Sequence, residues 1–406
     1  MPTDRRAPEL IFHIGHHKTG STAIQKVLAA GGLRIEGKRI LYPCQGNHNY
    51  LYRHVHAWLD GGRIAPGTPD RPGLAAIGRS IAETDCDYVV LSGEEFEGAD
   101  PAGLKKVIET FFAPHVGDYS VLCYVRPHAA RTLSNFAEQT KTGLFFGDPE
   151  ESHNRAIDSG RFQYARNLGR WFQDMDGRFL LRAMRPASLR GGSVVEDFAH
   201  AAFPAEAGRI SIDTNLVANE SLCIEDLLII RIVQQELRKR GRGMRIMMGW
   251  EFARLLAAEE GLSQRTKPAL HRSLAERIRR DYLEDARALD ARYFADDPVF
   301  VRELDLAVEK AIPVAQSWRP EDYFSTDMLR SIRAMARLIG EMAENKSGNW
   351  AEFLRTIRHK TEKSPRRCKP APAAAGEEAG TGARPARGPA SLRRRLGRVV
   401  SRFRAG

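Results

Sequence analysis

The chain of 406 residues contains no apolar run long enough to cross a membrane as a helix, and Met1 to Pro8 lack the apolar segment of a secretory signal. Both absences lead to the expectation of a cytoplasmic protein. Five cysteines, Cys44, Cys86, Cys123, Cys223 and Cys368, occur without a CxxC pair or a matching His spacing, so neither a disulfide framework nor a zinc site is supported. Idle or buried thiols in a reducing compartment are the expectation. No internal repeat is present. Net positive charge is scarce outside one segment: the net charge is +11, but thirteen Lys and Arg against three Glu between Lys360 and Gly406 account for +10 of it. A basic tail on a nearly neutral body concerns tethering and does not describe a nucleic-acid-binding fold.

What is there is a hydrophobic content of 42 %, enough for a large core. From about Glu9 to Val121 the sequence alternates short apolar runs with helical spacing. A first strand covers Leu10 to Ile14, a helix opens at Ala23, and a polar stretch rich in Gly and His covers Gly31 to Pro72. A helix near Leu74 to Thr84 leads into a strand at Asp87 to Leu91. A helix over Ala102 to Phe112 leads into a strand at Tyr119 to Val125, which stops at Arg126-Pro127. A further strand is expected at Arg178 to Met184, a helix opens at Val194, and Ile224 to Arg238 and Gly249 to Ala343 read as largely helical. This is the pattern of an α/β fold, a parallel sheet flanked by helices with a largely helical C-terminal half. Ligands of such sheets gather at the carboxyl ends of the strands.

The first strand breaks into Gly15-His16-His17-Lys18-Thr19-Gly20-Ser21-Thr22 and then a helix. A turn with two glycines and a helix N-terminus brings backbone N–H groups, the positive end of the helix dipole, a Lys and three hydroxyls onto one volume that favours an anion. The nucleotide triphosphatase pattern GxxxxGK[ST] places Lys directly after the second Gly, whereas Lys18 precedes Gly20. The segment resembles instead the phosphosulfate loop of the sulfotransferase family, whose bacterial members carry a similar P-loop-like strand, KTG[ST]T loop and IQ helix start. The resemblance implies the co-substrate PAPS, 3′-phosphoadenosine 5′-phosphosulfate. Its second piece is Tyr124-Val125-Arg126-Pro127 with Ser134 eight residues on, where the family binds the 3′-phosphate. Arg offers a planar fork of donors to phosphate oxygens, and a Ser two helical turns on returns to the same side. Arg131 is a secondary candidate, with a surface salt bridge as its ordinary role.

On this reading His17, Lys18, Thr19, Gly20, Ser21, Thr22, Arg126 and Ser134 bind the cofactor, and Lys18 also stabilises the leaving phosphate. The backbone N–H groups and hydroxyls of Thr19, Ser21 and Thr22 orient the sulfuryl group, and no metal is required because Lys and amides supply the positive field. The acceptor hydroxyl needs a base. Glu94, after Ser92-Gly93 at a strand end, is the first candidate, by likeness to an SxE segment of bacterial relatives. Glu95 is the neighbour open to confusion with it, since strand alternation sends only one of the two into the cleft. His48 is the other candidate.

The resemblance covers residues 9–235, with later landmarks at Glu196-Asp197-Phe198 and Asn215 to Glu220. A late nucleotide-binding loop has only a faint counterpart in Asn345 to Trp350. The expected organisation is a sulfotransferase domain over 1–363, with core motifs in 9–235 and a helical extension over 236–363. A disordered Pro/Ala/Gly/Arg linker over 364–390 and a basic amphipathic tail over 391–406 follow. Leu392, Leu396, Val399, Val400 and Phe403 fall on one helix face. Two readings of residues 391–404 stand side by side: a peripheral contact with the anionic inner face of the cell membrane, or a solvated tail. The function expected is sulfuryl transfer to a hydroxyl of a carbohydrate or lipid-linked glycan, with no specific nucleic-acid partner. Its alternatives are a P-loop kinase using ATP, and a membrane- or nucleic-acid-tethered nucleotide-binding protein.

Overall fold

The computed structural model describes residues 6–213, 222–259 and 265–345. The chain divides into two units, 1–348 and 349–406, and every described residue belongs to the first. Residues 215–220, Lys346 to Trp350, the linker over 364–390 and the basic tail lie outside the described residues.

Five parallel strands form the central sheet: β1 (Glu9–His13), β2 (Ile40–Leu41), β3 (Tyr88–Ser92), β4 (Asp118–Val125) and β5 (Phe179–Ala183). Their spatial order is β2-β3-β1-β4-β5, with Glu9 opposite both Tyr88 and Asp118. The chain thus passes from β1 to the edge at β2, returns to β3 beside β1, then crosses to the other side with β4 and β5. The carboxyl ends of β3, β1 and β4 meet where this direction changes, which is where open α/β sheets hold ligands. The edge strand β2 was not expected, because its two residues sit in a polar stretch whose composition reads as loop. Leu33–Ile35 and Ile210–Ile212 form a separate antiparallel ribbon.

Alternation along the strands sends side chains to two buried faces. Leu10, Phe12, Val89, Leu91, Val121 and Cys123 pack on helices from one side. Ile11, Val90, Leu122 and Tyr124 meet Ile24, Val27, Leu28, Val195 and Phe198 on the other. Those last residues belong to α1 (Ser21–Ala29) and α3 (Val194–Ala202). Each such aliphatic side chain contributes about 2 kcal/mol by leaving water. Asp197 of α3 is buried and accepts from Tyr124 Oη at 2.6 Å, from Arg182 Nε and Nη2 at 2.5 Å, and from the Arg190 N–H at 3.1 Å. The Glu196-Asp197-Phe198 landmark is therefore a tie between two strands and a helix.

Helix α2 (His128–Lys141) follows β4. Helices α4 (Ile224–Glu236), α5 (Arg242–Ala258) and α6 (Arg272–Tyr293) surround it. Asp285 of α6 accepts from His128 Nε2 and from the N–H groups of Tyr164 and Ala165, each at 2.9 Å. Helix α5 crosses the end of α2 at Gly249, where a Cβ would stand 2.1 Å from the Lys141 carbonyl oxygen. Only glycine permits that approach. No helix among the described residues is long and apolar enough to cross a membrane.

Candidate functional site

The loop after β1 begins as a continuation of the sheet. The N–H of Ile14 donates to Leu122, that of His16 to Tyr124, and that of Tyr124 to Gly15, at 2.7 to 3.0 Å. The chain then turns through Gly15, Lys18 and Gly20, with φ of 92°, 65° and 83°. After the turn, the N–H groups of Ala23 and Ile24 return to the Gly20 carbonyl. Between them, the N–H groups of Lys18, Thr19, Gly20, Ser21 and Thr22 have no hydrogen-bond acceptor among the described residues. Five consecutive free donors at a helix N-terminus form a concave field of positive partial charge. The hydroxyls divide differently from expectation. Thr19 and Ser21 are fully buried and donate to the His16 carbonyl, closing the loop on itself; of the three, only Thr22 is exposed.

Gly15 also sets how near the loop lies to the end of β3, because a Cβ there would meet Glu94 Cα at 2.9 Å. Gly15→Ala is expected to lower stability by about 2–3 kcal/mol through left-handed backbone strain plus this overlap. Gly31→Ala, at φ 64° with nothing within 4 Å, should lose only about 1 kcal/mol. Denaturant unfolding of both variants checks the difference, and equal losses would contradict the close approach.

Residues Glu94–Gly98 form a 3₁₀ turn rather than a strand end. Its period of three puts Glu94 and Glu97 on one side and turns Glu95 away. Glu95 is exposed, and its N–H donates to Asn49 Oδ1 at 3.3 Å. Glu94 Oε1 lies 3.5 Å from His17 Nδ1. Burial opposes protonation of His17, but Glu94 together with Glu97 and Glu95 raises its pKa above the ordinary value. Glu97, a residue the sequence reading passed over, accepts the His17 N–H at 3.0 Å and faces His16 Nδ1 at 3.4 Å. Arg131 Nη2 reaches both of its carboxylate oxygens at 3.3 and 3.4 Å. Burial pushes the Glu97 carboxyl up, yet His16, Arg131 and His17 hold it well below the usual carboxylate range. Arg131 is thus a fully buried support of the loop, correcting its reading as a surface ion-pair residue.

His48 also requires correction. It is fully buried, its Nδ1 accepts the Ser92 N–H at 3.1 Å, and its own N–H donates to the Ser92 carbonyl at 2.7 Å. Burial lowers its pKa to about 3. A neutral ring with its basic nitrogen engaged and no exposed edge ties the Gly46–Tyr50 segment to β3 and is unsuited to proton abstraction.

Arg126 stands at the end of β4, partly buried, its carbonyl accepting from Tyr164 Oη at 2.9 Å. Its guanidinium has no carboxylate partner among the described residues. Burial and the nearby Arg131 lower its pKa. A desolvated cation beside another cation and without an acid is poised for an anion. Arg131, Ser134, Glu138 and Lys141 share one stripe of α2 by their helical spacing. Arg131 meets Glu97 under the loop, and Glu138 Oε2 lies 3.0 Å from Lys18 Nζ. Ser134, between them, therefore lies on the stripe that faces the loop.

No family model matches the chain, and no curated protein matches it. A solved structure does. The crystal structure of a sulfotransferase from Alicyclobacillus acidocaldarius is similar at 13 % identity, covering 64 % of this chain and 98 % of that one, with a TM-score of 0.35. Among the described residues no three His, Cys, Asp or Glu are grouped to hold a metal ion.

The loop and Arg126 thus gather unpaired donors at two points along the carboxyl end of the sheet. One is made of the loop donors and Lys18, the other of Arg126 at the end of β4. A carboxylate, Glu94, lies against the loop at Gly15 and His17.

Proposed function

We propose that the chain is a sulfotransferase that takes its sulfuryl group from PAPS and transfers it to a hydroxyl of a carbohydrate or glycolipid. The observation that carries this reading is the run of five unpaired N–H groups from Lys18 to Thr22, with the acid-free guanidinium of Arg126 at the next strand end. A 3′,5′-bisphosphate nucleotide carries charge at two separated points, and these two centres suit it. When bound, PAPS supplies an activated sulfuryl group. Lys18 and the loop donors stabilise negative charge on the 5′-phosphate oxygen as its bond to sulfur breaks. Glu94 takes the proton of the acceptor hydroxyl as that oxygen bonds to sulfur. Arg126 and Ser134 hold the 3′-phosphate, and Glu97 with Arg131 keeps the loop in place.

The test is titration calorimetry of the full chain with 3′-phosphoadenosine 5′-phosphate, alongside ATP with magnesium. Tight binding of the bisphosphate, weakened about a hundredfold in Arg126→Ala, is the expected result, from loss of a charge-assisted fork in a partly buried site. Binding of ATP with magnesium in preference to the bisphosphate would overturn the proposal in favour of a kinase.

A further inference from the structure

Lys18 is assigned to a ligand oxyanion, yet its ammonium is already paired, 3.0 Å from Glu138 Oε2. Glu138 is itself held by three groups: Lys18, Lys141 Nζ at 2.6 Å, and the indole N–H of Trp250 at 2.9 Å from its other oxygen. The cluster contains two lysines for one carboxylate. Burial pushes the Glu138 carboxyl up, but Lys18 and Lys141 lower its pKa to about 2, so it is charged throughout the neutral range. The carboxylate contacts Lys18 without entering the loop, whose five N–H groups remain free.

We propose that Glu138 is the resident counter-ion of the anion cradle, occupying Lys18 until an anionic ligand takes its place. The proposal rests on the sulfuryl-donor reading of the same loop. Binding then exchanges one ion pair for another, and Lys141 and Trp250 keep Glu138 satisfied after Lys18 has turned to the ligand. Lysine suits this exchange, having three donors on a flexible stem, where the rigid fork of arginine would hold its first partner. Before a ligand arrives, Glu138 lowers the positive potential of the loop and selects for ligands able to outcompete a carboxylate.

The experiment measures affinity of the full chain for two probes, 3′-phosphoadenosine 5′-phosphate and inorganic pyrophosphate, in wild type, Glu138→Gln, Glu138→Ala and Lys141→Met. Both Glu138 variants should bind each probe about three- to tenfold more tightly, the scale of a partly exposed ion pair. Lys141→Met should bind more weakly by a similar factor, because Lys18 is then the one cation left to Glu138 beside the Trp250 N–H. A merely structural cluster would weaken binding in all three variants, and equal or weaker binding by the Glu138 variants overturns the counter-ion. If one Glu138 variant fails to fold, the other still reads the sign. Failure of the nucleotide to bind any form, with the predicted order kept for pyrophosphate, overturns the sulfuryl-donor reading and leaves the counter-ion standing. Failure of both probes to bind overturns both.

Discussion

Lys18→Ala is expected to slow sulfuryl transfer from PAPS about a thousandfold, the scale seen when one preorganised donor to a developing oxyanion is removed. The fold should survive. Lys18 is partly exposed and its side chain makes one ion pair, to Glu138, which retains Lys141 and Trp250. Its backbone, at φ 65°, is as strained with alanine as with lysine, so the substitution adds no conformational cost of its own. Single-turnover rates at saturating PAPS, with an unfolding curve as control, separate chemistry from stability. A rate within threefold of wild type would remove Lys18 from the mechanism.

Glu94→Gln carries the second large effect, a fall in kcat of about 10²–10³ from loss of a general base, with nucleotide affinity within about twofold of wild type. Glu95→Gln should leave the rate unchanged, since that side chain turns away from the loop. Gln at position 94 is nearly isosteric and can still face His17, so the experiment isolates proton acceptance. Equal rates in Glu94→Gln and the wild-type enzyme would assign the base elsewhere. His48 would then be a poor substitute, for want of an exposed nitrogen.

How much of this was legible in the sequence depends on the range of the interaction. The strand, loop and helix from Leu10 to Leu28 are encoded by adjacent residues, and so are β3, β4 and the stop at Arg126-Pro127. Their apolar runs and glycines are local signals. The edge strand Ile40–Leu41 exists because β3 offers it a partner, and two residues hold no period of their own. Glu94 and Glu95 were weighed by the two-residue period of a strand, although the turn they occupy repeats every three. Applied to Glu94-Glu95-Phe96-Glu97, the three-residue period would have revealed Glu97 as the companion of Glu94.

The stripe Arg131, Ser134, Glu138 and Lys141 was likewise present as helical spacing. What it faces was not, because Lys18 and Glu138 are separated by 120 positions and meet only once the sheet is assembled. The same holds for Arg131 and Glu97, 34 residues apart. Alternating charges on a helix predict a solvated face, and here tertiary packing turns that face inward against the loop.

The contact between Trp250 and Glu138 has an optical consequence. An indole whose N–H bonds a carboxylate emits according to the field of that carboxylate, and this one shares its acid with Lys18. The chain has five tryptophans, and Trp250 is half exposed at this junction. The carboxylate paired with Lys18 therefore bears an intrinsic chromophore, and a change in its emission on the millisecond scale of stopped flow is the expected sign that a ligand has drawn Lys18 away.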